Sequence, residues 1–172
     1  GREHALAWKL AQSKRISRVF IAPGNAGTGS AGTNLKIDPE DFTAVKKVVA
    51  DNRIEMVVVG PEAPPVNGIH DFFLEDDFLK SVPVIGPVRS AARLEGSKNF
   101  AKAFLIRHNI PTAKYRTFDK TNLSEANAFL RTLEPPYVIK ADGLAAGIGV
   151  VILKNINDAT NETNAIINGK FG

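Results

Sequence analysis

The sequence predicts an α/β protein in two parts, a parallel-sheet unit followed by a smaller α+β unit. Two observations carry this. Over residues 1–86, short β-branched runs alternate with helical patterns, which is how parallel βαβ units read. From residue 135, a strand, a glycine-rich turn and a second strand follow one another with no helix between. Charge is uneven between the halves: residues 1–86 hold 10 Lys and Arg against 11 Asp and Glu, while residues 87–172 hold 12 against 7.

The elements follow in order. Leu6 and Leu10, at i,i+4, predict a helix over Glu3–Gln12, and Arg18–Ala22 reads as a strand. After a loop from Pro23 to Asp38, a helix is expected over Pro39–Asn52, with Asp38 as N-cap and Pro39 at its first position. Glu55–Gly60 is a strand, apolar over Met56–Val59 as a strand covered on both faces should be. A loop over Pro61–Gly68, a helix near Ile69–Leu79 and a strand over Val82–Gly86 complete the first part. Pro87–Gly96 is the expected boundary. A helix Ser97–His108 follows, capped by Ser97, with Phe100, Ala101, Phe104 and Leu105 on its buried side. Ala113–Phe118 reads as a strand. Glu125–Leu133 reads as a helix, opened by the box-like Asn122-Leu-Ser-Glu125. Strands over Pro135–Lys140 and Val150–Leu153 flank the turn Ala141–Gly149, and Asn157–Ile167 is the last helix.

Composition excludes several functions. The chain of 172 residues has no cysteine, so disulfides, thiolate metal sites and a cysteine nucleophile are excluded. Its three histidines are far apart, which argues against a histidine metal site. No apolar run approaches the ~20 residues of a membrane span. Basic residues are dispersed, without the clusters that nucleic acid selects. Cysteine usage and the chemistry below lead us to expect a cytoplasmic protein. The basic second half suits an anionic ligand, although a solvated basic surface explains it equally.

The chemistry centres on residues 138–151. Lys140 ends an apolar strand, and Gly143-Leu-Ala-Ala-Gly-Ile-Gly-Val-Val151 follows almost at once. Glycines let a phosphate chain approach backbone N–H groups closely, and a lysine supplies a point charge to its oxygens. An ordinary hairpin turn with a solvent-facing lysine fits the same residues. The turn is neither a Walker A loop nor a dinucleotide fingerprint, because no Gly-x4-Gly-Lys-Ser/Thr occurs and a strand, not a helix, follows. Lys98 and Lys102 share one face near the start of their helix, where an anion would offset their repulsion. Asp142, the only acid between Glu134 and Asp158, is a candidate for orienting the turn. The strand ends Ala22–Thr28, Gly60–Pro64 and Gly86-Pro87 are further candidate site loops, since ligands of open α/β sheets bind at the carboxyl ends of strands.

Five segments together carry a resemblance: residues 1–10 (Gly-Arg-Glu-His-Ala-Leu-Ala-Trp-Lys-Leu), 22–28 (Ala-Pro-Gly-Asn-Ala-Gly-Thr), 58–64 (Val-Val-Gly-Pro-Glu-Ala-Pro), 97–102 (Ser-Lys-Asn-Phe-Ala-Lys) and 139–147 (Ile-Lys-Ala-Asp-Gly-Leu-Ala-Ala-Gly). In this order they resemble the phosphoribosylamine–glycine ligases, or glycinamide ribonucleotide synthetases, of the ATP-grasp superfamily. The resemblance implies an incomplete N-terminal Rossmann-like (pre-ATP-grasp) domain over residues 1–96, lacking its first strand. It further implies a connecting helix over 97–112 and an incomplete small ATP-grasp subdomain over 113–172, the chain being truncated at both ends.

The implied reaction joins glycine to 5-phosphoribosylamine in de novo purine synthesis. ATP converts the glycine carboxylate to glycyl phosphate, and the amine displaces phosphate to give glycinamide ribonucleotide and ADP. By this resemblance Lys98, Lys140, Gly143, Ala145, Ala146, Gly147 and Gly149 handle ATP, with Lys140 also catalytic. Gly1, Arg2, Glu3, Asn25, Gly27, Thr28 and Glu62 face phosphoribosylamine. Mg or Mn is implied, with its ligands outside this chain. The family's loop usually reads Gly-Leu-Ala-Ala-Gly-Lys-Gly, whereas Ile148 stands here at the lysine. Either that lysine is dispensable or this copy is impaired. The rival readings are another ATP-grasp carboxylate–amine ligase, a non-catalytic nucleotide-binding module and, remotely, a nicotinamide-dependent oxidoreductase. The sequence leaves the oligomeric state open.

Overall fold

A computed structural model describes residues 1–143 and 149–170. The chain divides into two compact units, Gly1–Arg93 and Leu94–Gly172. The helix expected to connect two domains therefore lies inside the second unit.

In the first unit, α1 (Arg2–Ala11) precedes β1 (Phe20–Ile21), a 3-10 turn (Thr28–Ser30), β2 (Thr33–Asn34) and α2 (Phe42–Asn52). Then come β3 (Val57–Val58), α3 (Ala63–Asn67), α4 (Ile69–Glu75), a 3-10 turn (Leu79–Ser81), β4 (Val84–Ile85) and α5 (Arg89–Gly96), within which the division between the units falls. The pairing is parallel, as expected: Phe20 lies opposite Thr33, and Val57 opposite Val84. These are two separate two-stranded ladders, however, not one sheet. A cleft of about 390 Å³ lies between β1 and β3, with Leu6, Leu10, Ile21, Val49 and Val57 on its walls. It leaves β3 uncovered on one side, so Met56 is 41% exposed and Val57–Val59 are only partly buried, against the expectation of a strand covered on both faces.

The core of this unit is Val45 and Val49 of α2, Ile69 and Phe73 of α4, Leu79 and Val84. Their spacing on α2 and α4 places each apolar stripe inward. Asp76 joins the two helices, because it pairs with Lys46 and accepts the N–H groups of Phe78 and Leu79, both at 3.0 Å.

Local hydrogen bonding explains where the expected boundaries shift. Asp41, not Asp38, caps α2, accepting Ala44 N–H at 3.0 Å. Asp38 instead accepts Glu40 N–H at 2.9 Å in a turn of its own, which delays the helix past Pro39. The expected loop at 61–68 holds α3, whose first turn accommodates Pro64 and Pro65 because N–H groups there have no helical partner. The helix expected over Ile69–Leu79 ends at Glu75, where Asp76 is extended. The boundary stretch 87–96 contains α5, and β2 lies in the stretch expected as loop.

The second unit contains α6 (Lys98–Arg107), α7 (Leu123–Leu130), the hairpin β5 (Tyr137–Lys140) and β6 (Val150–Leu153), and α8 (Ile156–Ile167). The hairpin is antiparallel, with Tyr137 opposite Leu153 and Lys140 opposite Val150. Alternation turns Tyr137 inward onto Leu130 and Ala159, and turns Val138 and Lys140 outward. Ser97 caps α6 as expected, accepting Phe100 N–H at 3.1 Å, but no residue of α6 is fully buried.

Two expectations fail here. Residues 113–118 form no strand. Lys102 bonds Thr112 Oγ1 at 2.6 Å and the Ala113 carbonyl at 3.1 Å, and Thr117 Oγ1 donates to Asn99 Oδ1 at 2.9 Å, so the segment is tied to α6. The expected box at α7 does not form either, since Glu125 pairs with Arg116 and Asn122 Oδ1 accepts Asp119 N–H at 2.8 Å. Among the described residues no helix is long and apolar enough to cross a membrane.

Phe73 is 1% exposed and Phe78 49%. Phe73→Ala should cost about 3–5 kcal/mol through the cavity it leaves, while Phe78→Ala should cost under about 1 kcal/mol. Urea denaturation followed by circular dichroism measures both, and equal losses would contradict the placement of the core.

Candidate functional site

The second unit gathers lysine charge around the base of the glycine-rich turn. β5 carries Lys140 to the mouth of the turn, on the exposed face of the hairpin. Ala141 N–H donates to the Gly149 carbonyl at 2.8 Å and closes the base of the turn. Gly143 has φ +90°, in the left-handed region that favours glycine, and among the described residues nothing lies within 4 Å of where a Cβ would stand. From α6, Lys98 Nζ reaches across to the Gly143 carbonyl at 2.6 Å. Lys98, Lys140, Gly143 and Gly149 therefore share one locality. Ala145, Ala146 and Gly147, with Ile148, lie outside the described residues. Lys102 belongs elsewhere, because its bonds to Thr112 and Ala113 and its position 5.5 Å from the Tyr115 ring centre anchor the segment after α6.

Two features here were missed or only hinted at in the sequence. The outer face of the hairpin is apolar beside Lys140: Val138 is 50% exposed, Val150 38% and Ile152 66%. Strand alternation could have indicated it, because 138 and 140 fall on one face and their partners are 152 and 150. Asp142 accepts Ser97 Oγ–H at 3.1 Å and Asn99 N–H at 3.2 Å. Partial burial pushes its carboxyl up, but the N–H groups of Asn99, Gly143 and Lys98 and the Ser97 hydroxyl outweigh that and hold it below the usual carboxylate range. The anion favoured by the start of α6 is thus supplied by the chain itself.

In the first unit, three of the singled-out segments meet at the carboxyl ends of β1 and β3. Arg2 Nη2 bonds Glu62 Oε1 at 2.6 Å. Glu3 lies against Gly60, where an added Cβ would come within 3.2 Å of its side chain, and His4 would lie 2.9 Å from a Cβ at Gly27. Asn25 Oδ1 accepts Gly27 N–H at 2.9 Å and Thr28 N–H at 3.2 Å. Thr28 is fully buried, and its hydroxyl accepts Asn25 N–H at 2.8 Å and lies 2.7 Å from Asn34 Oδ1. Thr28 therefore shapes the loop from within, while Gly1, Arg2, Asn25 and Gly27 border solvent. At the third strand end His70 Nδ1 donates to the Gly86 carbonyl at 2.7 Å, a contact no sequence motif announced.

Among the described residues no group of three or more His, Asp or Glu could hold a metal ion.

A parallel α/β unit is followed by a helix, a hairpin and a glycine-rich turn flanked by Lys98 and Lys140. Residues 96–172 match the family model described as phosphoribosylglycinamide synthetase, ATP-grasp (A) domain, so the second unit is of ATP-grasp type. Residues 1–95 match the model for the phosphoribosylglycinamide synthetase N domain. The chain belongs to the phosphoribosylglycinamide synthetase family. It is 46% identical over 175 residues to phosphoribosylamine–glycine ligase of Haemophilus influenzae, and 45% over 172 residues to that of Mesorhizobium japonicum. Each alignment covers all of this chain and 39% of the relative, so the chain spans about two-fifths of their length. The crystal structure of phosphoribosylamine–glycine ligase from Thermotoga maritima superposes with a TM-score of 0.71 at 35% identity, covering 98% of this chain and 38% of that one.

The Arg2 guanidinium and a backbone N–H hold the Glu62 carboxyl below the usual carboxylate range. A lowered group stabilises the fold above its unfolded pKa, and that contribution is lost as pH falls through the folded value. Carbon-detected carboxylate titration should therefore find Glu62 still ionised below the ordinary glutamate midpoint. Arg2→Met should move its titration up toward that midpoint, and an unchanged curve would contradict the pairing.

Proposed function

We propose that the chain forms the nucleotide-binding and amine-substrate parts of an ATP-dependent ligase. The ligase joins glycine to 5-phosphoribosylamine through glycyl phosphate, yielding glycinamide ribonucleotide, ADP and phosphate for purine synthesis. The observation that carries this is the bond of Lys98 to Gly143, with Lys140 ending the strand that enters the same glycine-rich turn, beside an apolar face, in a chain of this family. A triphosphate needs positive charge and free N–H groups, and a purine base needs a flat apolar surface. The turn with its two lysines suits the first. Val138, Val150 and Ile152 suit the second.

The chemical logic follows from charge. A carboxylate is a poor electrophile until one oxygen becomes a phosphate leaving group. Lys98 and Lys140 neutralise charge that builds on the transferring phosphoryl, and Lys140 lies nearest to that role at the end of β5. Gly143, Ala145, Ala146, Gly147 and Gly149 allow backbone to approach the phosphates. Gly1, Arg2, Glu3, Asn25, Gly27 and Glu62 form the face we assign to phosphoribosylamine, with Thr28 holding its loop. Arg2 suits a phosphate, and carboxylates such as Glu62 suit an amine or a sugar hydroxyl. Magnesium or manganese would be held by residues other than those described, and the enzyme would work in the cytoplasm.

A chimera tests this. Residues 1–172 replace the matching region of the Haemophilus influenzae ligase, and ADP release is followed. Release should require both glycine and 5-phosphoribosylamine, and release independent of either would overturn the reading. In the same chimera, Lys140→Ala should lower the turnover with ATP at least ~10-fold, the loss of about 1.5–3 kcal/mol expected for a charge-assisted bond. Ile148→Lys separates two possibilities. Unchanged turnover means that the lysine is dispensable, and a gain means that this copy is impaired.

A further inference from the structure

Asp142 has no part in the reaction just described, yet it is the most connected side chain near the turn. Its carboxylate receives Ser97 Oγ–H, at 3.1 Å to one oxygen and 3.3 Å to the other, and Asn99 N–H at 3.2 Å. The donors lie 43 and 45 residues earlier in the chain. Ser97 is double-ended, since its oxygen also accepts Phe100 N–H at 3.1 Å and so caps α6. Directly between these donors in sequence is Lys98, whose Nζ bonds the carbonyl of Gly143, the residue after Asp142. Two adjacent residues of the turn are therefore held by three adjacent residues of α6. Lys140 is two positions before Asp142 on the same strand exit.

We propose that Asp142 is a positioning residue for nucleotide binding. It docks the first turn of α6 onto the glycine-rich turn, and so sets the Lys98 ammonium at a fixed place relative to Lys140. The proposal rests on assigning ATP to this turn. A metal-ligand role is disfavoured, because among the described residues no second and third carboxylate or histidine gather with it. A general-base role is disfavoured because its oxygens are already committed to donors. A phosphate cannot use the start of α6 while Asp142 occupies it, so that helix contributes a lysine and not its N-terminal N–H groups.

The test is a double-mutant cycle on ATP affinity, with inorganic triphosphate as a second probe. Asp142→Asn should weaken ATP about 10-fold, and Lys98→Ala by a similar or larger factor. The double variant should bind no more weakly than Lys98→Ala alone, because Asp142 acts through Lys98. Asp142→Glu should recover part of the affinity. Amide exchange at Asn99 should accelerate in Asp142→Asn and report directly on the docking contact. Wild-type affinity in Asp142→Asn, or fully additive losses with lowered melting midpoints, overturns the positioning role and leaves the ATP assignment standing. Failure of the wild-type chain to bind either probe removes both. If Asp142→Asn does not fold, additivity is read from Asp142→Glu against Lys98→Ala, with additive losses overturning the proposal.

Discussion

The first turn of a helix exposes N–H groups with no helical acceptor, and satisfying them at the start of α6 organises the second unit. Two side chains do this. Ser97 accepts one N–H locally, and Asp142 accepts another from a strand exit far along the chain. The local bond alone would start a helix anywhere. The distant one ties this helix to the strand exit, where the residue after Asp142 is bonded in turn by Lys98. α6 has no fully buried residue, and this polar junction adds to the half-buried face formed by Phe100, Phe104 and Leu105.

The first unit solves a similar problem with short-range bonds. Asn25, Thr28 and Asn34 close the loop after β1 on itself, with Thr28 buried at its centre. Gly24 at φ +75° leaves room for the Asn34 side chain, which would lie 2.3 Å from any Cβ there. The loop is thereby fixed without a ligand, which lowers the entropy cost of binding one. The Arg2–Glu62 pair then joins the start of α1 to the end of β3. The pair is partly exposed, so its worth is modest in stability and lies mainly in orientation.

What the sequence made legible was periodicity and punctuation. Parallel pairing in the first unit, the antiparallel hairpin, the Ser97 cap and the lysines at the turn were all readable from strand runs, glycines and one serine. Competition between equivalent groups was not readable. Asp38 and Asp41 are both good caps, and which one serves depends on the turn at Glu40. Residues 113–118 have strand composition but are tied to α6 by Lys102 and Asn99. Thr28 looked like a substrate contact in its motif, yet burial assigns its hydroxyl to the loop. The apolar outer face at Val138 and Ile152 was hidden because apolar residues in a strand are first read as core.

The central claim is that ATP lies on the second unit, its phosphates at Lys98 and Lys140 and its base on the hairpin's outer face. A crystal structure of the chain with a non-hydrolysable ATP analogue tests it most directly. The account predicts phosphate oxygens within hydrogen-bond distance of both ammonium groups, with the purine against Val138 and Ile152. An analogue seated instead at the strand ends around Asn25 and Glu62, or on the second unit with neither lysine in contact, would contradict it.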